Sequence, residues 1–568
     1  MKEHQVDVLV VGSGNAGMTA ALTAKIMGLK QVLVIEKDKT YGGTSGMSGG
    51  GVWVPCNRYA VEAGASDTLD EAFEYLRGTI PEDETADKML RAYLKYAPEM
   101  VDFLHDNTDV RYESLGAYPD YFSDASGAKT GHRSMEPAPI SVKTLGGTFQ
   151  DQIAPNPAVK TFDRLYFTQK ELHYLMGRLP GWISIALKEA CKYAFDFPMR
   201  IRGRQSRRLT MGAAGIARLR LSMKKRDMPI WLNTKLVELL YEGGRVVGAK
   251  VERQGHLETI HVTRGVILAS GGFEQNQALR EQNLPEPTSA QWSGGSRCNT
   301  GDALEAATQL GAARRLMTHA WWSTTISVPG ESYPRLSIFE KSLPGSYVVD
   351  SLGQRIANES QNYMTFMREL HAERSKGGAC EPYYMIFDAR YRKNYIVGPM
   401  LPGKIWPDAL IPKRYWEDNF LSKEPSIEAL ASRIGIDQDG LLATVKKVNA
   451  YAATGEDVDF HRGEALYDRY YSDPSVKPNP CLAPLVQPPF YAMKIDAGDF
   501  GTQGGMVIDE DARVLRENSS AIVGLYASGN CAAGILTTYP GPGATLGPAM
   551  TFAYQAAKHL VSLGSSET

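Results

Sequence analysis

A run rich in β-branched residues at 6–11 leads directly into Gly12-Ser13-Gly14-Asn15-Ala16-Gly17, and no other stretch limits the possible folds as strongly. A buried parallel strand, a G-x-G-x-x-G turn and a following helix form a dinucleotide-binding unit. Gly12 permits the sharp turn, and Gly14 lets backbone approach a pyrophosphate. Asn15 and Ala16 open the helix whose amino end faces the phosphates, and Gly17 lets that helix lie close to the strand. After the helical stretch 18–27, a second strand at 31–35 runs into Glu36 and Lys37. Glu36 is placed to accept hydrogen bonds from ribose hydroxyls and would repel a 2′-phosphate. The alternative, a glycine-rich turn with no ligand, does not account for the whole strand-helix-strand-acid unit.

Two further segments favour FAD over NAD. Gly42-Gly43-Thr44-Ser45 and Ser48-Gly49-Gly50-Gly51 offer backbone with few side chains that could pass close to a flat ring and its ribityl chain. Near the other end, Gly524-Leu525-Tyr526-Ala527-Ser528-Gly529-Asn530 resembles the strand and Gly-Asp segment with which flavoproteins hold the ribityl-pyrophosphate. Asn530 stands where Asp is commoner, so that contact is expected to be a neutral hydrogen bond. There is no second G-x-G-x-x-G unit for a nicotinamide cofactor, so electrons are expected from the substrate itself.

At 568 residues the chain exceeds one ordinary core. The expected fold class is α/β: a Rossmann-like FAD-binding domain built from the discontinuous segments 1–318 and 498–568, with an inserted α+β substrate domain at 319–497. Short strands over 231–271, carrying Val237 and ending at Gly271, close the first flavin segment, and both residues are placed on the cofactor. A final helix is expected over 548–563. Residues 130–225 read as a helical, partly basic insertion carrying Arg200, Arg202, Arg204, Arg207 and Arg208. Its segment 174–208 has two readings, a solvated helical arm or an arm lying on an anionic membrane surface.

Lys+Arg 62 against Asp+Glu 64 leaves a net charge of −2, which gives no field to recruit nucleic acid. The six cysteines have no short spacing suited to zinc or a redox dithiol, so no metal is expected. The first residues carry no basic-then-apolar leader and no long uncharged apolar stretch follows, which points to a cytoplasmic protein that is at most peripherally membrane-associated.

These segments resemble the fumarate reductase and succinate dehydrogenase flavoprotein superfamily over essentially the whole chain. Others narrow the likeness to its 3-ketosteroid 1-dehydrogenase branch: Tyr118-Pro119-Asp120-Tyr121, Asn358-Glu359-Ser360-Gln361-Asn362-Tyr363, and Tyr539-Pro540-Gly541-Pro542-Gly543-Ala544-Thr545-Leu546. The fumarate-reducing relatives have a histidine where this chain has Gly501, and arginines that it lacks near Gly345 and in the carboxy-terminal turn. A buried dicarboxylate would then have no charge partner, so the site is expected to take a neutral ketone. Covalent attachment in some relatives needs a histidine at the position of Thr44, so the resemblance implies non-covalent FAD.

Desaturating a ketone requires a proton from the α carbon and a hydride from the β carbon, with the carbonyl oxygen held by fixed donors. The resemblance implies Tyr539 and the Gly543 N–H as those donors, Tyr363 as the base for the C-2 proton, Tyr121 as its relay and flavin N-5 as hydride acceptor. Ala544 and Leu546 are assigned to the cofactor, and Phe339, Trp53 and Trp322 are expected as apolar walls for the steroid. An external electron acceptor is required, and the sequence does not identify it. The implied setting is steroid degradation within lipid metabolism. The alternatives are a steroid 4-dehydrogenase or enoate reductase on the same scaffold, or a flavin-containing binding protein without turnover.

Overall fold

The computed structural model describes residues 2–161, 164–202, 206–378 and 380–563. Lys2–Val11 pairs in parallel with Val32–Ile35 on one side and His256–Leu268 on the other, and His256–Leu268 pairs in parallel with Ala521–Ala527. These strands carry the inner part of an eight-stranded sheet, which is completed by Ile230–Trp231, Thr234–Glu242, Arg245–Arg253 and Arg513–Leu515. Val8, Leu9 and Val10 are fully buried, as expected of a strand covered on both faces. The helix Asn15–Ile26 covers this sheet and packs on the last helix, Leu546–Ser562. Two glycines of the first turn are required by contact: a Cβ on Gly12, at φ +106°, would lie 2.3 Å from the Ala269 carbonyl oxygen, and one on Gly17 would lie 2.0 Å from the Gly12 oxygen.

A second, antiparallel sheet is formed by Arg335–Leu336, Ala320–Ile326, Phe490–Thr502, Tyr383–Asp388 and Ser346–Val349, with Leu421–Glu424 on Phe490–Thr502. The helix Tyr363–Ser375 packs against Ala320–Ile326. Phe490–Thr502 crosses the 497/498 position at which a domain boundary was expected, so the two parts of the molecule are joined by one continuous strand.

Residues 130–225 are not a single insertion. Met211–Lys224 is a buried helix on Asn15–Ile26 and Gly43–Met47, and a small residue lets it come close to the second: a Cβ on Gly212 would lie 2.1 Å from the Ser45 oxygen. What projects is an arm made of Gln169–Met176, Trp182–Ala194 and Phe197–Arg202. Its basic cluster is largely neutralised. Arg207 pairs with Asp196 at 2.6 Å, Arg208 with Glu171 at 2.9 Å and with Glu189 at 3.0 Å, and Arg200 stacks over Tyr193. Arg204 and the Arg202 side chain lie outside the described residues. The arm exposes the apolar side chains Ile183, Leu187, Phe195, Phe197 and Ile201, the last 87% exposed, beside the exposed cations Lys188 and Lys192. Among the described residues no helix is long and apolar enough to cross a membrane.

Candidate active site

Val11, Ile35, Leu268 and Ala527 end the parallel strands at the same edge of the sheet, where open α/β sheets bind their ligands. A cleft starts there and runs to the second sheet, with about 2170 Å³ of atom-free space, its open mouth included. Gly12, Gly14, Asn15, Ala16, Glu36 and Lys37 line its first end. Gly43, Thr44, Ser45, Ser48, Gly49, Gly50, Gly271, Gly529, Asn530 and Leu546 line its middle. Gly17 lies behind the turn it makes possible.

The donors and acceptors of this cleft suit a dinucleotide. Glu36 accepts from the Ser13 amide at 3.1 Å, the Ser13 hydroxyl at 2.6 Å and the Asp38 amide at 2.9 Å, while still lining the cleft. Burial pushes its carboxyl upward, and those hydrogen bonds pull it back. Asn15 Oδ1 is buried without a hydrogen-bond partner, which leaves a polar atom for a ligand to satisfy. Lys37 reaches Asp302 at 2.7 Å and Thr300 at 2.5 Å. Thr44 Oγ1 accepts from the Ser296 amide at 2.9 Å and the Asn299 amide group at 3.1 Å, so this side chain is held by protein groups. Asn530 accepts from Trp321 Nε1 at 3.0 Å, and a Cβ on Gly501 would lie 2.5 Å from Asn530 Nδ2, so Gly501 leaves room for that amide.

Four expected positions fall elsewhere. Val237 is 45% exposed and off the cleft, while its neighbour Leu236 lines it, because alternate residues of a strand face opposite ways. Ala544 is buried beneath the last turn and outside the cleft. Trp53 is fully buried, donates to Asp120 at 2.8 Å and backs the 540–543 turn, where a Cβ on Gly541 would meet its ring at 2.4 Å. Trp322 packs on His371, with ring centroids 4.4 Å apart, while Trp321 on the other face of the strand approaches Tyr539 at 5.7 Å. Neither Trp53 nor Trp322 forms a wall. Phe339 does, together with Leu336, Ile338, Leu172 and Met176.

At this apolar end three tyrosines from distant segments converge. Ring centroids of Tyr363 and Tyr539 are 5.5 Å apart, those of Tyr121 and Tyr363 5.7 Å, and those of Tyr121 and Tyr539 5.7 Å. Tyr363 begins its helix one residue after the Asn362 cap. Tyr539 is held at φ +63°, and Gly543 at φ +101° leaves no room for a Cβ, which would lie 2.4 Å from the Gly51 backbone. Burial pushes the Tyr539 phenol up, while hydrogen bonds from Tyr363, Thr545 and the Gly543 backbone pull it down. Burial drives Tyr363 and Tyr121 well above the usual phenol range.

Sequence reasoning missed the rest of this cluster. Tyr118 stacks on Tyr470 at 4.1 Å and reaches the Tyr471 hydroxyl at 3.0 Å, and Tyr467 packs on Tyr121 at 4.6 Å. The signal was present in Tyr467-Asp468-Arg469-Tyr470-Tyr471, an aromatic group dense enough to have been singled out. Among the described residues no group of three or more His, Cys, Asp or Glu could hold a metal ion.

Residues 7–546 match the FAD binding domain family. The chain is 38% identical to a 3-oxosteroid 1-dehydrogenase of Mycobacterium tuberculosis, over 99% of both chains. It is 35% identical to a 4-oxocyclohexanecarboxylate 2-dehydrogenase of Sinomonas cyclohexanicum, over 97% of this chain and 92% of the other. Among solved structures, a 3-ketosteroid delta1-dehydrogenase of Sterolibacterium denitrificans, in complex with 1,4-androstadiene-3,17-dione, matches with a TM-score of 0.95 at 42% identity, covering 99% of this chain and 100% of that one.

Proposed function

The chain belongs to the FAD-dependent 3-oxosteroid 1-dehydrogenases, oxidoreductases acting on CH–CH groups, and on that premise we propose that it introduces the 1,2 double bond into a 3-keto-4-ene steroid. The observation that carries this reading is the meeting of Tyr363, Tyr121 and Tyr539 at the apolar end of a cleft whose other end holds Glu36.

In this reading Tyr539 and the Gly543 N–H hold the 3-keto oxygen. The raised phenol is protonated at neutral pH and can donate, and the helix Leu546–Ser562 starts just beyond, so its positive end favours developing negative charge. Tyr363 takes the C-2 proton, and Tyr121 accepts the proton that Tyr363 passes on. Bound FAD, which Gly12, Gly14, Glu36, Ser45 and Asn530 of the cleft would hold, would supply a hydride acceptor for C-1. The cofactor is held without a covalent bond, since Thr44 has no nucleophilic ring nitrogen to offer. The domain assignment follows the two sheets, with the nucleotide on the parallel sheet and the steroid against the antiparallel one.

The arm is proposed to rest on a lipid surface, from which a sparingly soluble steroid is drawn. Its exposed apolar side chains, rather than its paired arginines, carry the contact, and Leu172 and Met176 of the same arm line the cleft. Pelleting with neutral vesicles as well as anionic ones is expected, and no pelleting with either rejects it.

The test of the reaction is product analysis. With a 3-keto-4-ene steroid and an artificial acceptor, mass and NMR analysis are expected to give the 1,4-diene-3-one. A double bond elsewhere in the ring, or turnover only of 4-oxocyclohexanecarboxylate, overturns the reading.

A further inference from the structure

Burial pushes the Tyr363 phenol well above the usual range, and the hydrogen bond that Tyr121 donates to it at 3.4 Å pulls it back. A donor placed on the Tyr363 oxygen favours the phenolate, the form that removes a proton. That help depends on where the Tyr121 hydroxyl stands. The backbone of Tyr121 is fixed to the turn that carries Gly543, since its N–H donates to the Pro540 carbonyl at 2.8 Å. The turn has three further ties of its own: Tyr75 Oη to the Pro540 carbonyl at 2.5 Å, Ser134 Oγ to the Pro542 carbonyl at 2.9 Å, and the Trp53 N–H to the Gly543 carbonyl at 3.3 Å.

Immediately before Tyr121 stands Asp120, buried and outside the lining of the cleft. Its Oδ1 accepts from Trp53 Nε1 at 2.8 Å, and its Oδ2 accepts from Arg133 Nη1 at 2.7 Å and from the Lys129 amide at 3.0 Å. Trp53 and Ser134 face each other on the paired strands Val52–Trp53 and Ser134–Pro137, and Arg133 directly precedes the second. The same two strands therefore grip the turn and the Asp120 carboxylate. The packing between them has no slack: a Cβ on Gly541 would lie 2.4 Å from the Trp53 ring and 3.3 Å from Asp120 Oδ1. Arg133 does not need Asp120 for its charge, because Asp67 already engages its Nε at 2.9 Å and its Nη2 at 2.8 Å.

Resting on the proposed desaturation, we propose that Asp120 is a positioning residue whose carboxylate holds the Tyr121 hydroxyl in register with Tyr363 and the 540–543 turn. Three donors converge on its two oxygens, an arrangement that only an acceptor on both sides satisfies. An asparagine at this position, turned either way, points its NH2 at a donor, either the Trp53 indole or Arg133 with the Lys129 amide. One of those ties must then be given up. The turn keeps its other hydrogen bonds, so what shifts is the segment that carries Tyr121. Asp120 acts through Tyr121 and touches neither substrate nor cofactor.

The titratable groups facing Tyr363 are the phenols of Tyr539, Tyr118 and Tyr121. Those facing Asp120 are Arg133, with Asp67 behind it, and the Tyr75 phenol, while the Lys129 ammonium turns to Glu71 at 2.9 Å. Burial pushes the Asp120 carboxyl up to about 6, against the pull of Arg133, Trp53 and Lys129, so it is ionised above neutrality. A change in rate on the alkaline side therefore reports the phenols.

The test is anaerobic reduction of the holoenzyme flavin by a 3-keto-4-ene steroid, followed per bound flavin from neutrality to about pH 10, the range of an ordinary phenol. Asp120→Asn is expected to slow reduction by about tenfold, no more than Tyr121→Phe does, with the half-saturating steroid concentration unchanged. In both variants the pH at which the rate rises is expected to move upward. The double variant is expected to match Tyr121→Phe alone, because Asp120 has no other route to the reaction. Asp120→Glu keeps the charge and displaces the carboxylate by one methylene, so it is expected to fall between the wild type and Asp120→Asn, and it decides the matter if the asparagine variant does not fold. Lower FAD content or melting temperature with the rate per flavin and its pH dependence unchanged, or losses that add in the double variant, overturns the positioning role alone. Failure of the wild-type flavin to bleach with any 3-ketosteroid overturns the desaturation and the positioning role together.

Discussion

The Tyr121 hydroxyl donates to the Tyr363 hydroxyl over 3.4 Å, although 242 positions separate them in the chain. The contact is long for a hydrogen bond between hydroxyls, which favour about 2.7–2.8 Å, and catalytic contacts commonly tighten only when substrate is bound. It joins the loop after Tyr118-Pro119-Asp120 to the first turn of the helix Tyr363–Ser375. The rings of both also approach Tyr539, so a ketone held there would lie within reach of the proposed base.

Tyr363→Phe is expected to lower the rate of flavin reduction by about a thousandfold or more, the scale of a lost general base, and to leave the visible flavin spectrum unchanged. Stopped-flow reduction with a 3-keto-4-ene steroid measures it. Near-normal turnover would remove Tyr363 from its role.

Tyr121→Phe is expected to cost less, about ten- to a hundredfold in kcat with little change in KM, because the base itself is kept and only its proton outlet is lost. A rise in KM with kcat unchanged would assign Tyr121 to binding instead.

Gly543→Ala adds a methyl group where the Gly51 backbone is 2.4 Å away, at a φ of +101° that side chains rarely adopt. The 540–543 turn must move, so steroid turnover is expected to be lost together with much of the bound FAD, at a cost of about 1–3 kcal/mol from the backbone strain alone. FAD content after purification, read from absorbance, checks it.

Burial pushes the Glu274 carboxyl up to about 7 from 4.5, against the pull of Asn299 and with Asp499 adding to the rise. The folded protein therefore holds this proton more tightly than the unfolded chain. Its stabilising contribution is whole below pH 4.5 and is lost as pH rises through about 7. Glu274→Gln cannot lose a proton, so its melting temperature is expected to fall less between acidic and alkaline buffers than that of the wild type, the difference corresponding to about 3 kcal/mol at most. Parallel melting curves against pH would contradict this.

The nucleotide half of the cleft was legible because each of its demands has a local signature: a strand, a turn with glycine where a Cβ cannot fit, and an acid at the end of the next strand. The tyrosines at 121, 363 and 539 were legible only as motif positions, since nothing local distinguishes them among 28. Errors arose where the facing of a strand decides the outcome. Trp321 and Trp322 are adjacent, and only the assembled sheet shows that the first approaches Tyr539 and the second His371. The same holds for Leu236 and Val237. The pairing of the arm's arginines was not legible for another reason: they stand out in sequence, but the acids that neutralise them, Glu171, Glu189 and Asp196, are spread over residues 171–196 and meet them only on folding.

The most direct measurement mixes the FAD-bound protein with a 3-keto-4-ene steroid in the absence of oxygen and follows flavin absorbance and steroid product together. The account predicts bleaching of the flavin with one equivalent of 1,4-diene formed per flavin, and neither event in Tyr363→Phe. A flavin that stays oxidised in the wild type, or one that bleaches equally in the phenylalanine variant, would contradict it.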